Sequence, residues 1–524
     1  MSNVPQMRLK CVITLSREAE KAKEDVAKFV AEANKTILAK GAPQGQVEKA
    51  AKISDWNIKG AKLSLTIESG PYVRAPAAVL RIRKALGQVL GEKHKVGIRG
   101  VDVTDFTVVI PTAKTAPKTS LEKIRAIHSV QDAIASITQL TVTFKPLTER
   151  ELKRNIPDRV LNLIMKELEE LTKPPVSPVA VVEVLKQSPP KPIRVKEDPM
   201  LVALRLGWIK EFPGRGQWIY TPPYSRLLEA IESLLVEEVV QKLDFQPYML
   251  PKLIPLEVMK LMPGYLDGIP EGMYYVCPPP RDPEAFAKFK DQFKVTKEIP
   301  KEELKRVIKD PEYVLAPAQC EPFWYFFFHE VLNVEDLPIK FYDRAGWTYR
   351  WEGGGVEGLV RVQEFRRIEL VYYGAPDDVV KIRDSILDES LRIADKVLDL
   401  EWRVVPGIPF FARTAEKKVD IRDSPNIPAY DVEIYLPYRG PRETAEWLEV
   451  TACFVHKIKF IDAFKIREMK GRDIWSGCTG MGISRWVAAF LSEHGFDPDK
   501  WPKAVRGRFG KYSLPKTLTW PPKR

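Results

Sequence analysis

The chain has 524 residues, 44% hydrophobic and 29% charged, which is enough for two or three domains with sizeable cores. Five cysteines, an odd and sparse count, argue against a disulfide framework and for a reducing compartment, and the N-terminus lacks the apolar stretch of a signal peptide. No apolar run reaches bilayer length, so a cytoplasmic protein with no membrane contact is expected. The net charge of +12 is unevenly placed: residues 1–200 hold 34 Lys+Arg against 22 Asp+Glu, and the remainder is balanced. That asymmetry is the footprint of a module that binds a polyanion.

The segment RLKCVITL reads as a strand, after which Ser16 opens a long Ala/Lys/Glu helix ending near Gly41. A strand follows within 56–68, then a helix over 77–90 that ends at Gly91. KHKVGIRG and DFTVVIP read as two strand-like pieces. Ser120 opens another helix, QLTVTFKPL is a strand, and 148–173 is helical despite Pro157. Helices alternate with half-polar strands, so residues 1–172 form an α+β domain with an open sheet. Its basic side chains, such as Arg74, Arg81, Arg83 and Lys93, can track a phosphate backbone. Residues 173–199 (KPPVSPV, SPPKPIRV) form a proline-rich linker in extended conformation.

In 200–524, YSRLLEAIESLLVEEVVQKLDF places Leu227, Ile231, Leu234, Leu235 and Val239 on one helical stripe. PYMLPKLIP after it reads as a strand ending at Pro251. RDPEAFAKFKDQF and PKEELKRVIKDPEYV make two short helices, a surface insertion over 281–312. The stretch YRWEGGGVEGLVRVQEF (349–365) reads as a strand with Arg350 and Glu352 on one face, a glycine turn, and a returning strand with Arg361 and Phe365. Guanidinium forks suit phosphates and an aromatic ring suits a base. Residues 375–400 are helical, and 428–437 and 446–460 are strands. They lead to GCTGMGISRW at 477–486, a glycine-lined turn with Arg485 at the head of an apolar helix.

Arg-x-Glu, a loop and Arg-x-x-x-Phe (near 349–367) resemble motif 2 of class II aminoacyl-tRNA synthetases, and the Gly480–Arg485 turn resembles motif 3 (near 477–493). The helix and strand near 225–255 resemble motif 1, which builds the dimer interface in that family, except that Asp244 stands where glycine is usual. The resemblance implies a class II catalytic domain, an antiparallel sheet flanked by helices, working as a homodimer on ATP with Mg²⁺. Arg350 would contact the α-phosphate and the amino-acid carboxylate. Arg361 and Arg485 would hold the γ-phosphate beside Glu352, Phe365 would stack on adenine, and Glu449 would ligate magnesium.

Two cysteines and a glutamate from three distant segments make no spacing motif, so spacing alone shows no metal. The run from Cys320 to Trp501, however, resembles the methanogen-type (type 2) seryl-tRNA synthetases. That family carries an α+β tRNA-binding domain, a helix-turn-helix insertion, and an active-site zinc held by two cysteines and a glutamate. Cys320, Glu369 and Cys478 match those positions, while Cys277 and Cys453 do not. The implied substrates are serine, ATP and tRNA(Ser). A threonyl-type enzyme, an amino-acid:carrier-protein ligase and an inactive tRNA-binding paralogue are the competing readings.

Overall fold

The computed structural model describes the chain outside residues 1–4, 44–45, 47–48, 71, 113, 171–182, 408–426 and 516–524. It divides into two compact units, Met1–Val179 and Ala180–Arg524. Among the described residues no helix is long and apolar enough to cross a membrane.

In the first unit a seven-stranded antiparallel sheet runs Lys52–Lys59, Lys62–Ser69, Gln6–Leu15, Ile98–Pro111, Gln139–Phe144, Val130–Ala135, with Leu147–Thr148 added beside Ile98–Pro111. Its central strand alternates strictly, burying Met7, Leu9, Cys11, Ile13 and Leu15. The helix Ala75–His94 lays Val79, Ile82, Leu86 and Leu90 into the same core.

Three element boundaries differ from the sequence expectation. Ser16 caps no helix: its Oγ accepts from Gly97 N at 2.9 Å, and the first α-helix begins at Lys23. The helix expected to stop at Gly91 continues to His94, where Lys95 turns left-handed at φ 54°, and the two strand pieces beyond it are one strand. The helix across Pro157 is split into Glu149–Lys153 and Ile156–Glu170 at Asn155, φ 55°. A proline, lacking an N–H, is tolerated in a helix's first turn but not in its interior.

The second unit is built on an eight-stranded sheet. Its order is Gln246–Pro247, Ile339–Asp343, Ile368–Gly374, Trp475–Met481, Leu448–Lys457, Ala429–Ile434, Trp402–Gly407, Lys186–Gln187. Only the first pair is parallel. The helices Pro222–Leu235, Pro376–Arg392 and Ile483–His494 share one core with one face of the sheet, where Leu370, Tyr372, Cys453 and Met481 point. Their strand neighbours Val371, Tyr373 and Cys478 belong to a smaller core on the opposite face. Period-2 alternation thus separates Cys453 from Cys478 by the thickness of the sheet.

The motif 1 helix ends in a wider turn, Val236–Gln241, before Asp244 adopts φ 57°. This is the left-handed conformation glycine adopts freely, and aspartate is among the few other residues that tolerate it. The strand expected through 251 is instead two pieces in different sheets, Gln246–Pro247 and Leu253–Pro255. Proline cannot donate to a ladder, and Pro251 falls at the break. The insertion forms the helices Ala287–Thr296 and Lys301–Val307, neither with a buried residue.

Residues 173–182 of the proline-rich segment lie outside the described residues. Its remainder is docked on the second unit and is not a free linker. Lys186–Gln187 pairs with Trp402–Gly407, and Ser188 and Trp402 exchange hydrogen bonds of 2.9 and 3.0 Å. The buried Glu401 carboxylate accepts from Lys191 N at 2.7 Å and from Arg442 at 2.6 and 2.8 Å. Lys191 and Arg194 pair with Asp399. An extended, proline-stiffened segment is preorganised to lie along a sheet edge.

Candidate active site

Motif 2 is not a tight glycine hairpin. Its ladder is two residues long, Thr348 opposite Phe365 and Tyr349 opposite Glu364, and Arg350, Glu352 and Arg361 sit in the loop between. Gly353–Gly355 form a short 3₁₀ turn that starts left-handed at Gly353, φ 52°. The loop is held from inside by Gln363, a buried side chain that the sequence reading passed over. Its Oε1 accepts from Glu352 N at 3.0 Å and from Tyr274 Oη at 2.8 Å.

Above the sheet lies a cavity of about 450 Å³. Arg350, Glu352, Phe365, Glu449 and Arg485 line it, and Cys320, Glu369 and Cys478 line it too. Arg485 Nη1 donates to Glu449 O at 3.1 Å and stands 3.5 Å from its carboxylate. Arg361 is the exception. It borders a small adjoining recess shared with Glu352, Phe365 and Arg485, and lies 3.7 Å from the exposed Glu446.

The two cysteines and the glutamate come from three elements. Cys320 precedes the short helix Glu321–Phe326, Glu369 is on the strand Ile368–Gly374, and Cys478 is on Trp475–Met481. Their ligand atoms all lie within 4.8 Å of one another, and all three residues are buried. Glu369 Oε1 has no nitrogen or hydroxyl donor, while Oε2 is 2.7 Å from Arg367 Nη2. Burial pushes the Glu369 carboxyl up to about 8 against the pull of the Arg367 charge, and it holds the Cys478 thiol well above its ordinary value. Two thiols and a carboxyl in so small a space repel one another when ionised. A divalent cation relieves that repulsion and supplies the missing partner of Glu369 Oε1, so the donor set fits zinc.

The cavity also contains residues the sequence reading did not single out. Arg367 immediately precedes the strand that carries Glu369, and its guanidinium reaches that carboxylate. His456 Nε2 is 3.6 Å from Cys478 Sγ, and burial pushes the imidazole down to about 3, so it is neutral. Tyr265 and Asp431 border the same space.

Residues 5–166 match the model of a tRNA-binding domain, and residues 303–494 match the class II tRNA synthetase core domain of the G, H, P, S and T group. The type-2 serine–tRNA ligase of Methanocaldococcus jannaschii is 43% identical over 97% of this chain and 96% of its own length. That of Methanothermobacter thermautotrophicus is 41% identical over 98% and 99%. The crystal structure of M. kandleri SerRS in complex with A. aeolicus tRNASec superposes with a TM-score of 0.84 at 40% identity, covering 99% of each chain. With both sequence and architecture matched along nearly the whole length, the chain belongs to the type-2 serine–tRNA ligases, enzymes of the class II synthetases.

Proposed function

We propose that the enzyme activates serine with ATP in this one cavity, with the serine amine held by a zinc ion on Cys320, Glu369 and Cys478, and then esterifies tRNA(Ser). The observation that carries the zinc reading is the convergence of three buried ligand atoms within 4.8 Å. Zinc held by three protein ligands supplies an open Lewis-acidic position for a neutral amine.

The protein's own part is positioning and charge neutralisation. Arg350 contacts the serine carboxylate and the α-phosphate it attacks in line, with pyrophosphate leaving. Arg485 holds the γ-phosphate, with Arg361 reinforcing it from the adjoining recess. Phe365 stacks on adenine. Glu352 and Glu449 orient the nucleotide, Glu449 through the magnesium that accompanies ATP. A site that hydrogen-bonds the serine hydroxyl rejects alanine by roughly 10⁴–10⁵.

Residues 1–172 bind the tRNA, a reading supported by the +12 excess confined to the N-terminal part. The enzyme works as a homodimer through the motif 1 surface, where Met249 and Leu253 are exposed. All five cysteines are free thiols, which supports a cytoplasmic location.

The test is ATP–pyrophosphate exchange with each amino acid, paired with metal analysis. Exchange with serine alone and one zinc per chain are expected. Cys320→Ser and Cys478→Ser lose both together, whereas Cys453→Ser, on the other face of the sheet, keeps both. Zinc retained at full stoichiometry without Cys320, or full serine activation by metal-free protein, would refute the metal site.

A further inference from the structure

Every backbone N–H from Tyr349 to Glu352, the arm on which motif 2 enters the cavity, has its own acceptor. Tyr349 N donates to Ala316 O at 2.9 Å and Arg350 N to Gln363 O at 2.9 Å. Trp351 N donates to Gly272 O at 3.1 Å, and Glu352 N to Gln363 Oε1 at 3.0 Å. Two of these acceptors, Gly272 and Ala316, flank the strands that carry the 281–312 insertion. Those strands, Tyr275–Val276 and Tyr313–Leu315, pair with each other and form the stem from which the insertion projects. Leu315 N donates to Tyr274 O at 3.0 Å, which fixes Tyr274 at the foot of that stem.

Tyr274 reaches from the stem to the one acceptor in this set that is a side chain. Its Oη donates to Gln363 Oε1 at 2.8 Å, so a single amide oxygen receives both the phenol and the Glu352 N–H. A carboxamide has two unlike ends. Turned over, that of Gln363 would set its NH₂ against the Glu352 N–H and leave the backbone donor unsatisfied. Burial, with the Glu364 and Glu352 carboxylates nearby, pushes the Tyr274 phenol above its ordinary value, so the hydroxyl keeps its proton and donates. The Tyr274 ring also meets Trp351 edge-on, with centroids 5.6 Å apart. Arg350 and Glu352, carried by this arm, line the cavity. Activation depends on their placement, and an ångström of error there is costly.

We propose that Tyr274 is a positioning residue for serine activation. From the stem of the insertion it fixes the Gln363 amide and, through that amide, the placement of Arg350 and Glu352 about ATP. The proposal rests on the cavity being the adenylation site.

The test compares the full-length enzyme with Tyr274→Phe, Gln363→Leu and the double variant in serine-dependent ATP–pyrophosphate exchange, alongside thermal melts. Tyr274→Phe keeps the ring and removes only the hydroxyl. Its kcat should fall roughly 3- to 30-fold, between the loss of one hydrogen bond and an ångström-scale misplacement. The KM for ATP and for serine should stay within about twofold, because the contact places groups and binds nothing itself. Gln363→Leu should lose more, and the double variant no more than Gln363→Leu, because the phenol acts only through the amide. If Gln363→Leu fails to fold, the kcat and KM of Tyr274→Phe decide alone. A kcat for Tyr274→Phe within about twofold of the unmodified enzyme would overturn the proposal. So would losses that multiply in the double variant, or a raised KM at unchanged kcat. Absence of serine-dependent exchange in the unmodified enzyme would instead remove the adenylation site, and the proposal with it.

Discussion

Gly480 lies under the guanidinium of Arg367: a Cβ at position 480 would stand 1.8 Å from Arg367 Nη2. Gly480 is also the residue directly across the ladder from Glu369. The missing side chain therefore makes the space in which Arg367 reaches back to the Glu369 carboxylate. Glycine is required here by close approach rather than by backbone conformation.

Gly480→Ala should accordingly push Arg367 off Glu369 and loosen the alignment of the trio. Serine-dependent exchange is expected to fall by about 10²-fold, the effect of an ångström-scale misplacement. Overpacking should cost about 1–3 kcal/mol of stability. Exchange rates and a thermal melt measure the two separately, and exchange within twofold of the unmodified enzyme would contradict the role given to this contact.

The two arginines proposed to hold the triphosphate should behave unequally. Arg485 lines the cavity, so Arg485→Ala is expected to lose about 10²–10³-fold in exchange. Arg361 stands outside it against solvent, and Arg361→Ala should lose less than about 10²-fold. Raised KM for ATP with unaltered melting is the expected signature in both. The opposite ranking would mean that the loop closes over ATP with Arg361 innermost.

Where a catalytic fragment begins should matter. A fragment starting near residue 180 keeps the Lys186–Gln187 strand and the Lys191 donor to Glu401, and one starting at 198 loses both. The shorter fragment should be less stable by about 1–3 kcal/mol, the cost of a buried carboxylate deprived of a donor. The longer one should make seryl-adenylate but charge tRNA poorly. Identical melts for the two fragments would show that the docked segment contributes nothing. Full-length binding to tRNA should weaken steeply with salt.

Glu493 gives a pH dependence. Burial pushes its carboxyl up to about 8, partly offset by the hydrogen bond from Glu401 N at 2.9 Å. Because this value lies above the ordinary 4.5, the folded state retains the proton. The stabilisation is full below the ordinary value and is lost as pH rises through about 8. Glu493→Gln keeps the amide carbonyl as acceptor and removes the titration, so its melting temperature should fall less between about pH 5 and 9. Parallel pH profiles for the two proteins would dismiss Glu493 as the titrating group.

Sequence alone determined the parts whose physics is local or periodic. The apolar stripe of the motif 1 helix and the strict alternation of the strand Gln6–Leu15 are readable because side chains three, four or two positions apart share a face. The short motifs carrying Arg350, Phe365 and Arg485 are legible through their resemblance to motifs 2 and 3 of the class II synthetases, and the charge asymmetry of the first 200 residues is legible from composition. Tertiary structure alone decided what depends on pairing between distant segments. Arg367 became a site residue because Gly480, more than a hundred positions away, leaves room for it. Gln363 holds the motif 2 loop from a position no period marks. The resemblance separated Cys478 from Cys453, but the physical reason is tertiary: the two lie on opposite faces of the sheet, and Cys320 and Glu369 converge with Cys478. Residues 186–199 look like a tether because prolines forbid a helix. They dock because a sheet edge and the buried carboxylate of Glu401 await them two hundred residues downstream, and hydrogen-bond satisfaction across such distances leaves no local trace in the chain.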